Sequence, residues 1–151
     1  MLPVLYLAQR EWGYISHEAM RYVADLLEVP PARVAGVVSF YTMFRTAPAG
    51  KYVIEVCSSL PCSLMGSEHV VAYLERKLGI EVEGTTSDGR FTLTKVECLA
   101  ACGTAPVMMV NGDLCEDLTE EKIDGILARL IHKPYLEGIT CCQNESHRLK
   151  G

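Results

Sequence analysis

Lys51-Tyr-Val-Ile-Glu-Val-Cys57-Ser-Ser-Leu-Pro-Cys62 is a β-branched run that breaks at a cysteine and continues into small and polar residues with a second cysteine five positions on. The pattern repeats at Arg90-Phe-Thr-Leu-Thr-Lys-Val-Glu-Cys98-Leu-Ala-Ala-Cys102, so two strands each end in a close cysteine pair, C-x4-C and C-x3-C. The strand ends are therefore expected to deliver four sulfurs from the same edge of one sheet.

Between the pairs, Val70, Val71, Leu74 and Leu78 give a helix its buried face, and Gly79 supplies the stop. Ile80-Glu-Val82 reads as a short strand and Thr85-Thr-Ser-Asp-Gly89 as a turn. Phe91 to Val96 and Pro106 to Val110 are the next two strands, with Asn111-Gly112 as a tight turn of the kind that joins antiparallel partners. Thr119 caps a last helix with Glu120 and Glu121 in its first turn and Ile123, Ile126, Leu127 and Leu130 on its buried face. The order strand, helix, strand, strand, helix matches a thioredoxin-like α/β sandwich.

Upstream, residues 1–46 read as a helical segment, and Ala47-Pro48-Ala49-Gly50 as a linker. Val4, Leu5, Leu7 and Ala8 start it, and Ser16 caps a helix whose stripe is Ala19, Met20, Val23 and Leu27. A third helix opens at Pro30-Pro31 and carries Val34, Val37, Val38 and Tyr41 at helical spacing. The aromatic stretch Phe40-Tyr41-Thr-Met-Phe44 is expected in the core. A helix-turn-helix reading is disfavoured, because Arg33 is the one strong base or phosphate contact on the would-be recognition helix.

Composition narrows the function classes. A chain of 151 residues, 49% hydrophobic, suits one compact domain with a small appendage, and its net charge of −5 speaks against nucleic acid. No apolar run approaches the roughly 20 residues of a membrane span, and Met1-Leu-Pro-Val-Leu-Tyr-Leu-Ala lacks the basic leader of a secretory signal, so a soluble chain in a reducing compartment is expected. Seven cysteines there favour ligands and free thiols over disulfides.

Spacing leaves three chemistries for Cys57, Cys62, Cys98 and Cys102. A [2Fe–2S] cluster needs two sulfurs for each iron, which the two pairs can serve. A four-cysteine zinc site more often uses C-x2-C knuckles but tolerates looser spacing. Unliganded or redox-active thiols are the third, although a thiol oxidoreductase would want C-x-x-C at a helix start. His17, His69, His132 and His147 show no metal-ligand spacing and read as surface residues. No G-x-G-x-x-G or G-x-x-x-x-G-K-[ST] is present, so any nucleotide or flavin belongs elsewhere. Ser58, Ser59, Ser63 and Gly103 are small enough to let backbone approach sulfur, and Cys62 is expected just before a helix start; ordinary turn chemistry explains the same residues. Glu97 is expected to face outward.

Gly13-Tyr-Ile-Ser16, Val37-Val-Ser-Phe-Tyr-Thr-Met-Phe44, Val56-Cys-Ser-Ser-Leu-Pro-Cys62, Cys98-Leu-Ala-Ala-Cys102 and Ala105-Pro-Val-Met-Met-Val-Asn111 together resemble the thioredoxin-like [2Fe–2S] ferredoxin family, over about Leu5 to Ile131. That family provides the small iron–sulfur subunit of NADH:quinone oxidoreductase (respiratory complex I) and of NAD-linked hydrogenase and formate dehydrogenase diaphorase modules. The resemblance implies a thioredoxin-like [2Fe–2S] domain over 50–131, with Cys57, Cys62, Cys98 and Cys102 as ligands of one [2Fe–2S] cluster that passes single electrons. It implies a larger partner subunit holding FMN and NADH, no catalysis by this chain alone, and no membrane insertion of its own. The site would be a peripheral part of a membrane-associated complex, cytoplasmic or on the matrix side of the inner membrane. The alternatives are the small subunit of an NAD-dependent hydrogenase or formate dehydrogenase, and a zinc-stabilised interaction module.

Fold analogy adds a cis Ala105–Pro106 bond. Three features depart from the family: it commonly has more helix upstream, Cys115 stands where an aromatic residue is expected, and 132–151, with Cys141-Cys142, match nothing in it. That last stretch is expected to be a solvated tail with incidental thiols.

Overall fold

The computed structural model describes residues 1–132 and divides into two compact units, the first Met1–Ala49 and the second from Gly50 onward. Cys141 and Cys142 lie outside the described residues.

The first unit is three helices, α1 (Leu2–Trp12), α2 (His17–Leu26) and α3 (Pro31–Phe40). Gly13 ends α1 at φ 80, a left-handed conformation that an L side chain resists, and its N–H donates to Gln9 O. Ser16 then starts α2, its hydroxyl accepting from Ala19 N at 3.1 Å. Leu5, Ala19, Met20, Val23, Val34 and Val38 form the core with Phe44. The aromatic stretch departs from expectation: Phe44 is 5% exposed, but Phe40 is 77% and Met43 42% exposed. Phe40 is still within α3, and at about 100° per residue it stands on the side of the helix away from the buried Val34 and Val38. Tyr6, Leu7, Tyr22 and Leu26 are also more than two-fifths exposed, so this unit leaves a large share of its apolar surface uncovered by its own helices.

The second unit holds a four-stranded sheet in the order β2-β1-β3-β4. β1 (Tyr52–Cys57) runs parallel to β2 (Phe91–Val96), in a register from Tyr52 opposite Phe91 to Cys57 opposite Val96. β3 (Met108–Val110) is antiparallel to β1, and β4 (Asp113–Cys115) to β3, closed by the expected Asn111-Gly112 turn. Asn111 also fastens the turn to β1: its Oδ1 accepts from Val53 N at 2.8 Å and its Nδ2 donates to Lys51 O at 2.9 Å.

Two long helices cover one face of this sheet, α5 (Ser67–Leu78) and α6 (Glu120–His132). Tyr52, Ile54 and Val56 alternate toward them and meet Val70, Val71 and Leu74 of α5 and Ile123, Ile126, Leu127 and Leu130 of α6. At about 25 cal/mol per Å2 of apolar area, this layer is the main stabilising term of the unit. Polar ties join the helices along their outer edge: Tyr73 Oη and Lys77 Nζ both donate to the Asp124 carboxylate at 2.9 Å, and His69 Nε2 lies 2.8 Å from Glu120.

Three expectations need correction. Ile80-Glu-Val82 is no strand: Gly79 ends α5 in the left-handed region, and the residues after it form a turn packed against the core edge. The strand predicted from Pro106 starts only at Met108, since Pro106 has no N–H to give a ladder. Cys62 does not precede a helix but lies within one, the five-residue α4 (Leu60–Leu64), which follows Ser59 directly. Pro61, placed in its first turn where a missing N–H costs nothing, lets this helix form so soon after the strand. The Ala105–Pro106 bond is cis, as the fold analogy predicts.

Candidate functional site

Because β1 and β2 are neighbours and parallel, their C-terminal ends lie side by side, with Cys57 as the last residue of β1 and Cys98 two residues beyond β2. Alternation along β1 turns Cys57 to the face opposite Ile54 and Val56, away from the two long helices. There it packs with Cys62, Ala105 and Val107 in a small separate cluster, bordered by Leu99, Ala101 and Leu114. Cys57 and Cys62 are each 1% exposed, whereas Cys98 and Cys102 are exposed. All four are free thiols. Among the described residues, no three His, Cys, Asp or Glu side chains converge on one ion position.

Each loop is tied down by backbone. Ser58 N and Oγ both donate to Val96 O, at 2.8 and 2.9 Å, locking the turn after β1 to the end of β2. Cys57 N donates to Val107 O at 3.1 Å, which joins the same turn to the segment entering β3. In the second loop Ala100 adopts φ 58, and its N–H donates to Cys98 Sγ at 3.3 Å. An alanine in that region gives up roughly 1 kcal/mol, a strain the loop bears while presenting an amide to sulfur. Cys102 opens a single 3-10 turn, Cys102–Thr104, anchored by Thr104 Oγ1 to Glu116 at 2.7 Å.

These donors set the electrostatics. Burial pushes the Cys57 thiol up, but the Ser59 hydroxyl and amide, the Leu99 amide and the Cys62 thiol outweigh it and leave the group below the ordinary thiol value. Burial and then the neighbouring Cys57 push Cys62 up, against the Val107 amide and the Ser59 hydroxyl. The two thiols of the first pair are thus shifted in opposite directions, and a bound cation would favour the thiolate of both.

The structure brings the two cysteine pairs to one sheet edge, as their positions after β1 and β2 predict. It separates the roles of the small residues: Ser58 ties backbone, Ser59 faces Cys57 Sγ at 3.2 Å, and Ser63 and Gly103 are exposed, with no atom within 4 Å of a Cβ built on Gly103. Glu97 is exposed, although its carbonyl oxygen lies 3.9 Å from Cys57 Sγ. Cys115 is buried in β4 opposite Met108, among the main core residues rather than with the four free thiols. The amides of Leu99, Ala100 and Val107 are the contributors that sequence reasoning missed. Nothing in an alanine side chain signals a left-handed backbone.

Residues 1–131 match the family model described as "Thioredoxin-like [2Fe-2S] ferredoxin". The chain is 47% identical over 128 residues to a subunit of the NADH-quinone oxidoreductase of Rickettsia felis, covering 84% of this chain and 77% of that one. It is 42% identical over 131 residues to the mitochondrial NADH dehydrogenase [ubiquinone] flavoprotein 2 of Dictyostelium discoideum, covering 86% of this chain and 53% of that longer one. In three dimensions it resembles a chain of an H2-reduced NAD+-reducing [NiFe]-hydrogenase, with a TM-score of 0.77 at 20% identity, over 92% of this chain and 24% of that one. At that identity the likeness speaks for the fold.

Proposed function

Because the chain belongs to the thioredoxin-like [2Fe–2S] ferredoxin family, we propose that it is the electron-transfer subunit of an NADH-quinone oxidoreductase, with Cys57, Cys62, Cys98 and Cys102 holding one [2Fe–2S] cluster. The observation that carries this reading is the pairing of free thiols at the adjacent ends of two parallel strands. Relatives at 42 to 47% identity that belong to NADH dehydrogenases support the parent complex.

The donor set fits the cluster. An all-cysteine [2Fe–2S] centre is anionic, takes two sulfurs per iron and exchanges one electron at a time. The chain's own residues answer that charge: Ala100 N–H is directed at Cys98 Sγ, the Leu99 and Ser59 amides at Cys57, and the Val107 amide at Cys62. Cys57 and Cys62 stand in the dry interior, which keeps water from the first pair, while the exposed Cys98 and Cys102 leave the second side open to a redox partner. A four-cysteine zinc site asks all four sulfurs to meet one ion, whereas one buried and one exposed pair on separate loops suit two irons served in twos.

Catalysis needs the rest of the complex. A larger subunit carrying FMN and NADH would oxidise NADH, and this chain would exchange single electrons with its flavin. The exposed apolar side chains of the first unit, Tyr6, Leu7, Tyr22, Leu26 and Phe40, would then be covered by that subunit. Among the described residues no helix is long and apolar enough to cross a membrane, in keeping with a peripheral place in a membrane-associated complex, on the cytoplasmic or matrix side.

Iron and acid-labile sulfide analysis of anaerobically purified protein tests the proposal. About two of each per chain, with visible charge-transfer absorption and an EPR signal on reduction, is the expected result. Colourless protein carrying zinc and no sulfide would overturn it.

A further inference from the structure

Ser59 occupies the N-cap position of α4, extended at φ −60 and ψ 156, where a serine hydroxyl ordinarily accepts a hydrogen bond from an amide of the first turn. It makes no such bond. Its hydroxyl stands instead 3.2 Å from Cys57 Sγ. Its neighbour Ser58 already fixes the loop through its own N–H and hydroxyl on Val96 O, so Ser59 is not needed for that task. α4 forgoes this cap while the hydroxyl faces sulfur.

Between a thiol and a hydroxyl either atom can donate. A metal-ligating cysteine has lost its proton, so its sulfur can only accept, and the serine hydroxyl is then the donor. We propose that Ser59 is a positioning residue that tunes the reduction potential of the site by donating an O–H···S hydrogen bond to the Cys57 thiolate. The inference rests on the cluster assignment above. Reduction adds negative charge to the ligand sulfurs, so a hydrogen bond to one of them strengthens in the reduced state and raises the potential. The surrounding amide donors are backbone and are retained in any variant. Cys62, itself a ligand, would have no proton to give, so among the described residues Ser59 is the side chain placed to donate to Cys57, and it can be removed alone.

Potentiometric titration of the reduced-state EPR signal, on full-length protein purified anaerobically, reads the effect directly. Ser59→Ala is expected to shift the reduced-to-oxidised ratio at fixed ambient potential about tenfold toward oxidised, which is a midpoint about 59 mV lower for one electron. Ser59→Thr, which keeps the hydroxyl, should restore the wild-type value. A loaded Ser59→Ala protein with an unshifted midpoint, or a threonine variant shifted as far as alanine, would overturn the role of Ser59 and leave the cluster assignment standing. Wild-type protein without iron, sulfide and EPR signal would overturn the assignment itself. Should Ser59→Ala not load, pulsed EPR of reduced wild type after a brief exposure to D2O decides, because a hydroxyl exchanges faster than hydrogen-bonded amides. A coupled deuteron in wild type and in Ser59→Thr supports the bond, and its absence refutes it.

Discussion

Gly50→Ala should destabilise the second unit although it changes one hydrogen to a methyl at the edge of the fold. A Cβ built on Gly50 lies 2.8 Å from Phe91 C and 3.0 Å from Arg90 C and Phe91 N. These are backbone atoms of the entry to β2, and they cannot rotate away as a side-chain tip could. The same backbone is held against β1 by Lys51 N to Gly89 O at 3.1 Å, Tyr52 N to Arg90 O at 2.8 Å, and Gly50 N to Thr92 Oγ1 at 2.7 Å. Relieving the overlap means opening that end of the β1–β2 pairing by several tenths of an ångström and stretching those bonds. Overpacking of this kind costs roughly 1–3 kcal/mol, and weakening a hydrogen bond adds up to about 1 kcal/mol. Restricting the unfolded chain returns roughly 0.4–1 kcal/mol, leaving a net loss of about 1–3 kcal/mol. Gly125→Ala is the internal control. Gly125 is exposed within α6 with nothing within 4 Å of an added Cβ, so alanine there should stabilise by roughly 0.5–1 kcal/mol. Thermal unfolding of both variants beside wild type measures the contrast, at about 4–8 °C per kcal/mol for a domain of this size. Cluster absorbance per folded chain should be unchanged in Gly50→Ala, because the disturbance sits at the opposite end of the strands from Cys57. A Gly50→Ala protein as stable as wild type would refute the argument.

Serine at any one of Cys57, Cys62, Cys98 or Cys102 should abolish or alter the visible absorption and the reduced-state EPR signal, while Cys141→Ser and Cys142→Ser leave both unchanged; loss of signal in either of the latter would sink the ligand set. Ala100→Val should lower cluster loading with unchanged far-UV circular dichroism, because a β-branched residue resists φ 58 and would pull its amide off Cys98 Sγ. Lys77 and then Tyr73 hold the Asp124 carboxyl below its ordinary value, so its contribution to stability is present above the usual aspartate range and is lost as pH falls through the lowered value. Asp124→Asn should therefore flatten the acid limb of a stability-against-pH curve, and a limb of unchanged slope would count against the triad. Amides of α1 to α3 should gain hydrogen-exchange protection when the flavin-binding subunit is added, and equal protection in both states would refute a docking role for the first unit.

The periodicity of single segments was enough for the sequence to place α2, α3, α5 and α6, since Ser16, Pro31 and Thr119 start helices by local chemistry and the apolar stripes follow at helical spacing. It also put both cysteine pairs at strand ends, because β-branched runs and the residues that break them are local signals. What depends on contacts between distant segments lay beyond it. Ile80-Glu-Val82 alternates like a strand, but the chain is still leaving α5 there and reaches the open outer edge of β2 only afterwards, through Glu83 N to Leu93 O at 2.7 Å and the Thr85–Thr92 bridge. Phe40 belongs to an aromatic run, yet it sits on the side of α3 away from Val34 and Val38, while Phe44, beyond the helix, is covered by contacts with distant helices. Cys57 is buried and Cys98 exposed for the same reason: the strand pairing and the face on which Val107 packs are tertiary. The amides directed at the sulfurs come from Ala100 and Val107, whose side chains carry no polar chemistry, so only the folded backbone could reveal them. Residue types fixed which atoms can ligate, whereas the donors around those atoms were decided by φ and ψ values that only packing holds in place.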